Sequence, residues 1–319
     1  MVLKPHRVLV TGATGFVGRA LMFALAQESI NVVGTVRRST LTGPNRQDLG
    51  CVGELNATTD WSSVLVGVQI VIHAAARAHI MKDELADPLA EYRLVNVEGT
   101  LNLAGQAAAA GVKRFIYISS IKVNGESTPL GKPFLSCDAP RPEDPYGLSK
   151  WEAEQGLMQL AADSGMEVVV IRPPLVYGPG VKGNFATMIK LVDKGWLLPL
   201  GAIHNKRSLV GIDNLVNLII RCIDHPAAAN QVFLASDGED LSTTGLLRGV
   251  AAAMGKPARL IPVPAGILQL VATLLGKKAM AQRLLGSLQV DIRETCEMLD
   301  WKPPYTVQEG LKRCFERSN

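Results

Sequence analysis

Residues 11–18 read Thr11-Gly12-Ala13-Thr14-Gly15-Phe16-Val17-Gly18, and this stretch decides the fold. A short apolar run, Arg7–Thr11, precedes it and reads as a strand. Phe16–Gln27 then has the spacing of a helix, and Asn31–Arg37 reads as a second strand. The three glycines therefore occupy a strand-to-helix turn. Gly12 allows the tight turn, Gly15 lets the backbone approach a pyrophosphate, and Gly18 lets the helix pack against the strand. The helix N-terminus adds unpaired N–H groups and a partial positive charge. Glycine triplets also occur in ordinary turns. A strand before, a helix after and a second strand on schedule point to a dinucleotide.

Outward from this turn, short apolar runs alternate with longer helical patterns. A weak strand lies near Val52 and a clearer one over Gln69–His73. A long helix is expected over 89–110, a buried strand over 114–119, a helix from Pro145 to about Asp163, and a strand over 167–172. This alternation predicts an α/β fold, a doubly wound parallel sheet of the Rossmann type. After Arg172 the texture changes. Pro173, Pro174, Gly178, Pro179, Gly180 and Gly183 crowd together and mark a boundary or a long loop. Helices are expected over 212–224, over 242–254 with Ser242 as N-cap, and near 265–275, 278–285, 292–299 and 306–317, with one strand over 231–235. The expected division is residues 1–175 with 208–235 as the dinucleotide-binding domain. Residues 176–207 with 236–319 would form a smaller, mostly helical substrate domain.

Composition narrows the function. Of 319 residues, 47% are apolar and 19% charged, which excludes a disordered chain. Lys and Arg number 33 against 29 Asp and Glu, so no basic excess argues for nucleic acid. The five cysteines, at 51, 137, 222, 296 and 314, contain no C-x-x-C pair. That fits neither a disulfide framework nor a zinc ribbon, and points to a reducing compartment, the cytoplasm. The histidines are scattered, with no metal-ligand spacing. No export signal is visible. The longest apolar stretch, Ala265–Gly276, is interrupted by Gln269 and falls short of the about 20 residues that span a bilayer. It reads as a core or interdomain helix in preference to one lying on a membrane.

The residue that selects the dinucleotide normally lies about 20 positions beyond the glycines, where an acid binds the ribose 2′-hydroxyl. Here Arg37 and Arg38 stand there, and no Asp or Glu occurs between Ser29 and Gln47. Two guanidiniums suit a 2′-phosphate, so the expectation leans to NADP, with NAD open if both arginines face solvent. Tyr146 and Lys150 lie four apart on the helix opened by Pro145, hence on one face. A nearby ammonium favours the phenolate and is expected to lower the tyrosine pKa. Ser119-Ser120 sits at the C-terminal end of a central strand, where ligands of open parallel sheets bind.

These segments carry a resemblance. The glycine turn, Ile-His-Ala-Ala-Ala at 72–76, Asn-Val-Glu-Gly-Thr at 96–100, Ile-Ser-Ser-Ile-Lys-Val-Asn-Gly at 118–125 and Pro-Tyr-Gly-Leu-Ser-Lys at 145–150 resemble the extended short-chain dehydrogenase/reductases. So do Arg-Pro-Pro-Leu-Val-Tyr-Gly-Pro-Gly at 172–180 and Arg-Ser-Leu-Val-Gly-Ile-Asp at 207–213. The resemblance covers nearly the whole chain and is nearest the nucleotide-sugar 4-epimerases, 4-ketoreductases and dehydratases. It implies Ser120, Tyr146 and Lys150 as the catalytic set. It also implies cofactor contacts from Gly12, Thr14, Gly15, Phe16, Val17, Gly18, Arg37, Arg38, Glu54, Leu55, Ala74, Ala75, Ala76, Asn96, Tyr146, Lys150 and Pro173. Ser120, Lys122, Asn184, Arg207 and Arg283 would contact a UDP-sugar.

Departures from the family's pattern sort the activities. Dehydratases carry Thr-Asp-Glu where this chain has Ser120-Ile121-Lys122, so dehydration is not expected. The 4-epimerases usually carry an acid where this chain has Arg37, and Asn where it has Leu175. The segment 122–126 resembles bacterial UDP-4-keto-6-deoxy-N-acetylhexosamine 4-reductases of surface-polysaccharide synthesis. A 4-ketoreductase is therefore the first expectation. The alternatives are a UDP-hexose 4-epimerase with tightly bound NAD (UDP-glucose or UDP-N-acetylglucosamine) and a non-catalytic dinucleotide-binding protein. Cys137 and Asp138 read as loop packing before pocket lining, and Trp151 as packing. His79 is open between surface loop and site. The resemblance implies a homodimer paired through the helices 89–110 and 147–163.

Overall fold

The computed structural model describes residues 6–38, 49–78 and 87–316; His79 lies outside them. In chain order the described strands are β1 (Arg7–Thr11), β2 (Asn31–Val36), β3 (Leu49–Cys51), β4 (Ile70–His73), β5 (Arg114–Ile118), β6 (Glu167–Arg172), β7 (Leu175–Tyr177), β8 (Arg207–Gly211), β9 (Gln231–Leu234) and β10 (Asp240–Leu241). The helices are α1 (Phe16–Gln27), α2 (Ser62–Leu65), α3 (Pro88–Arg93), α4 (Gly99–Ala109), α5 (Pro145–Ser164), α6 (Asn184–Asp193), α7 (Ile212–Asp224), α8 (Thr243–Ala253), α9 (Ala265–Leu274), α10 (Lys278–Leu285), α11 (Arg293–Leu299) and α12 (Val307–Arg313).

Seven strands form one parallel sheet in the order β3-β2-β1-β4-β5-β6-β9. Residues of β4, β5 and most of β6 are buried on both faces, which is why they read as continuous apolar runs. One core layer packs α1 and α7 against the sheet, and the other packs α4 and α5 against the opposite face. The strand order reverses between β1 and β4, which opens a crevice at their C-terminal ends. There Thr11 is in register with His73, and His73 with Tyr117.

Four features depart from the expectations. The helix expected over 89–110 is α3 and α4 joined by a π-helical turn, Leu94–Glu98. The Pro/Gly-rich region holds a second sheet, β10-β8-β7, and the helix α6, so the C-terminal part is helical around a small sheet. Tyr177, Phe185, Leu209, Leu246 and Leu311 make its own core. Finally, α9 is not a core helix: none of its residues is buried.

Candidate active site

The turn between β1 and α1 is built for close approach. Gly12 has φ +67°, and a Cβ there would fall 2.9 Å from the backbone of Ala75. A Cβ on Gly18 would lie 2.1 Å from the Gly12 carbonyl oxygen. Gly15 is the N-cap of α1, no side chain caps this helix, and its first turn carries no acid. The leading N–H groups are thus left facing the crevice, the arrangement that accepts a diphosphate. Thr14 and Gly15 are exposed, while Phe16 and Val17 are half-buried. The small residues Ala74, Ala75 and Ala76 follow β4, and the Ala75 N–H donates to Thr11 Oγ1 at 3.2 Å. The residues present therefore fit a dinucleotide.

At the outer side of this crevice Arg37 and Arg38 are both exposed. Glu54, just after β3, brings a carboxylate oxygen 3.8 Å from the Arg37 guanidinium. An acid does reach the end of β2, and it comes from the loop after the neighbouring strand β3 rather than from the segment where spacing sought one. Leu55 is buried against Gly99. Asn96 is buried; its amide donates to the Arg77 carbonyl and to Ser149 Oγ, and its oxygen accepts from the Arg77 N–H. It fastens the segment after β4 to α5.

The helix α5 begins at Asp144, whose carboxylate accepts from the Gly147 N–H at 2.6 Å, with Pro145 in the first turn. A Cβ on Gly147 would lie 2.7 Å from the Lys122 carbonyl, so the start of α5 sits tightly on the turn that carries Ser120. Ser120 N-caps the 3₁₀ turn Ile121–Val123, its Oγ accepting from the Lys122 N–H at 3.3 Å. The Lys122 ammonium bonds Glu126 at 2.7 Å and also Asp144. Pro173 is buried, and its carbonyl accepts from the Ile121 N–H at 3.0 Å. The fold thus gathers Ser120, Lys122 and Tyr146 at the C-terminal end of β5, with Lys150 one turn deeper.

Lys150 is fully buried. Its ammonium donates to the Ile118 carbonyl at 2.8 Å and lies 4.5 Å from the centre of the Tyr117 ring. Burial pulls its pKa down to about 7, against the opposing charge of Glu154. The Tyr146 ring meets Tyr92 edge-on at 5.7 Å. Its phenol is pushed up, by burial first, then by Asp144 and Tyr92. This corrects the expected fall. The Lys150 ammonium is committed to Ile118, and the charge that bears on Tyr146 is the negative one of Asp144.

Behind these groups lie side chains that residue spacing did not single out. Glu154, one further turn along α5, pairs with Arg172 and accepts from Ser119 Oγ. His73 hydrogen-bonds Thr11 Oγ1 at 2.7 Å and Thr100 Oγ1 at 3.0 Å. Burial, then the Lys150 charge, pushes its pKa down to about 3, so it is neutral and structural. A buried Glu at four-residue spacing from Lys150 was the one available signal.

On the facing side Arg207, half-buried at the start of β8, donates to the Gly286 carbonyl at 3.1 Å. Burial lowers its pKa, against the charge of Glu126. Arg207 and the Lys122 cluster therefore share Glu126 across the cleft. Asn184, at the start of α6, and Arg283, on α10, are exposed. A hollow of about 500 Å³ beside β8 is lined by Ala202, Ile203, His204, Asn205, Pro264 and Leu285. Cys137 is exposed, and Asp138 accepts from the Leu135 N–H, a loop contact. Among the described residues no cluster suits a metal ion, and no helix is long and apolar enough to cross a membrane.

Comparison with known proteins identifies the family and the fold. The model of the NAD dependent epimerase/dehydratase family matches residues 8–235. The chain is 54% identical over 312 residues to a Vibrio cholerae protein named UDP-glucose 4-epimerase, covering 97% of this chain and 94% of that one. The solved structure of a Thermotoga maritima UDP-glucose 4-epimerase with UDP-glucose shares the fold at TM-score 0.75, with 23% identity over 97% of both chains. A Bordetella bronchiseptica enzyme in complex with NAD and UDP does so at TM-score 0.74, with 21% identity over 98% of this chain and 93% of that one. This chain belongs to the NAD-dependent epimerase/dehydratase family and is an extended short-chain dehydrogenase/reductase of its nucleotide-sugar branch.

Proposed function

We propose that the chain is a UDP-hexose 4-epimerase that holds NAD. The observation that carries this reading is the 54% identity, over nearly the whole chain, to a protein named UDP-glucose 4-epimerase. It moves the weight from the 4-ketoreductase to the alternative. The position of Glu54 supports the same side. Its carboxylate lies 3.8 Å from the Arg37 guanidinium and would repel a 2′-phosphate, so NAD replaces NADP as the cofactor proposed.

In this reading Gly12, Thr14, Gly15, Phe16, Val17 and Gly18 cradle the pyrophosphate, with Glu54 and Leu55 on the adenosine side and Ala74–Ala76 beneath the dinucleotide. NAD supplies the hydride acceptor and donor for sugar C4. Tyr146 removes the proton from the C4 hydroxyl and later returns it. Ser120 hydrogen-bonds the same oxygen, and Lys150 holds α5 at Ile118. Asn184, Arg207 and Arg283 face the nucleotide diphosphate from residues 176–207 and 236–319. Pairing through α4 and α5 in a cytoplasmic homodimer belongs to the same reading.

The test is to denature the purified protein and identify the nucleotide it releases. UDP-glucose and UDP-N-acetylglucosamine are then offered separately, and C4 inversion is followed by proton NMR. Released NAD with inversion and no net redox change is the expected result. Oxidation of added NADPH in step with loss of UDP-4-keto-6-deoxy-N-acetylglucosamine, without inversion, would return the assignment to the 4-ketoreductase.

A further inference from the structure

We propose that α9 and the chain segment beside it form a docking face for the surface of an anionic lipid bilayer. Ile267, Leu270, Val271 and Leu274 recur at helical spacing along one side of α9, all exposed, with Leu274 78% accessible. Leu275 extends the row. Next to it, residues 198–201 run along 259–261: the Leu198 N–H donates to the Arg259 carbonyl, and the Ile261 N–H to the Leu198 carbonyl. This pairing places Trp196, Leu197 and Ile261, all exposed, on the strip that leads through Pro264 into α9. Soluble monomers rarely leave so long an apolar row in water.

Charge identifies the occupant. Between Asp240 and Asp291 there is no Asp or Glu, whereas Arg248, Lys256, Arg259, Lys277, Lys278 and Arg283 all fall there. This stretch is therefore +6, in a chain whose total is +4. Lys256 is matched by Asp193 at 2.6 Å, while Lys277 and Lys278 stand exposed at the end of α9. An apolar helical face with lysines at its end, continued by an exposed strip that carries an indole, suits lipid headgroups of negative charge. A second copy suits it less well. A two-fold contact through this face would bring the acid-free stretches of both chains together. The helix has 10 residues, so it lies on the surface rather than crossing it.

Flotation of the whole protein with vesicles tests the proposal. Vesicles of phosphatidylglycerol and phosphatidylcholine in equal parts, at low ionic strength, are expected to carry the protein up the gradient. Vesicles of phosphatidylcholine alone are not. The pair Leu270→Glu with Leu274→Glu should abolish flotation. The pair Lys277→Glu with Lys278→Glu should weaken it by at least about fivefold per lysine and flatten its salt dependence. A blue shift of tryptophan emission on vesicle addition should disappear in Trp196→Phe. Circular dichroism and turnover of soluble UDP-sugar should match wild type in every variant, since these side chains are exposed and outside the cleft. Wild-type protein that stays below the anionic vesicles, or a leucine pair that floats as well as wild type, overturns the proposal. Self-association lost in the leucine pair, without vesicle binding, assigns the face to a second copy and overturns it too.

Discussion

Glu154 of α5 and Arg172 at the end of β6 form a two-point ion pair in the core: Arg172 Nη2 lies 2.5 Å from Oε2 and Nε lies 3.0 Å from Oε1. Each side chain is 5% exposed. Ser119 donates to the same carboxylate, and Arg172 Nη1 donates to Asn124 Oδ1 at 3.0 Å. The ends of β5 and β6 and the turn after Ser120 are thereby tied to the helix that carries Tyr146 and Lys150. Truncating one partner leaves a buried charge without its counterion. Glu154→Ala is expected to cost about 3–5 kcal/mol in urea denaturation. A loss below about 1 kcal/mol would show that Arg172 is not left as an uncompensated buried charge.

Tyr146→Phe removes the proton carrier and keeps the ring against Tyr92. Turnover is expected to fall by about 10²–10⁴-fold. Affinity for NAD, read by isothermal titration, should hold within about threefold, because the glycine turn is untouched. Near-wild-type turnover would remove Tyr146 from the chemistry.

The Asp144–Lys122 pair makes stability depend on pH. Burial pulls Asp144 up, but bonds from Lys122 and the Gly147 N–H outweigh it, so its folded pKa lies below 3.8. Burial likewise pulls Lys122 down, and Asp144 and Glu126 outweigh it, so its folded pKa lies above 10.5. The carboxylate contributes stability above pH 3.8 that is lost as pH falls through its folded value. The ammonium contributes stability below pH 10.5 that is lost as pH rises through its own. Asp144→Asn keeps a helix-capping oxygen and loses the pair, a deficit of about 1–2 kcal/mol at neutrality. Urea midpoints of the two proteins should converge below pH 3.8 and above pH 10.5.

Glu54→Gln leaves Arg37 without its 3.8 Å neighbour. The ratio of NADP to NAD affinity should rise by about tenfold, the effect of unmasking one guanidinium toward a 2′-phosphate. Fluorescence titration with each dinucleotide checks it. An unchanged ratio would mean that Glu54 does not take part in selection.

The glycine turn and the central strands were legible because their physics is local. Gly12 and Gly18 stand where a Cβ has no room, and the middles of β4, β5 and β6 are apolar. Tyr146 and Lys150 were legible for the same reason, one helix turn apart behind Pro145. The second sheet was not: β7 and β10 have three and two residues, and β7 sits among prolines and glycines. The helix α6 has Gly183 as its N-cap, without a capping side chain or a first-turn acid, so it announces no beginning. Composition could not tell α9 from a core helix, because what separates them is whether anything packs on its outer side. Glu54 meets Arg37 only through the pairing of β3 with β2, which linear spacing does not reveal. The pKa of Tyr146 depends on where the Lys150 ammonium turns, and the Ile118 carbonyl decides that.

The π-helical turn at Leu94–Glu98 sets a phase. Tyr92 before it meets Tyr146, Asn96 within it bonds Ser149 and the Arg77 backbone, and Thr100 after it bonds His73. In a regular helix residues four apart drift by about 40° per step, so such contacts would fan away from a common line. The wider turn absorbs the drift and keeps all three on one strip. The stretch from α3 to α4 thus works like a vernier between α5 and the end of β4, and losing a single residue from it would put one end out of step with the other.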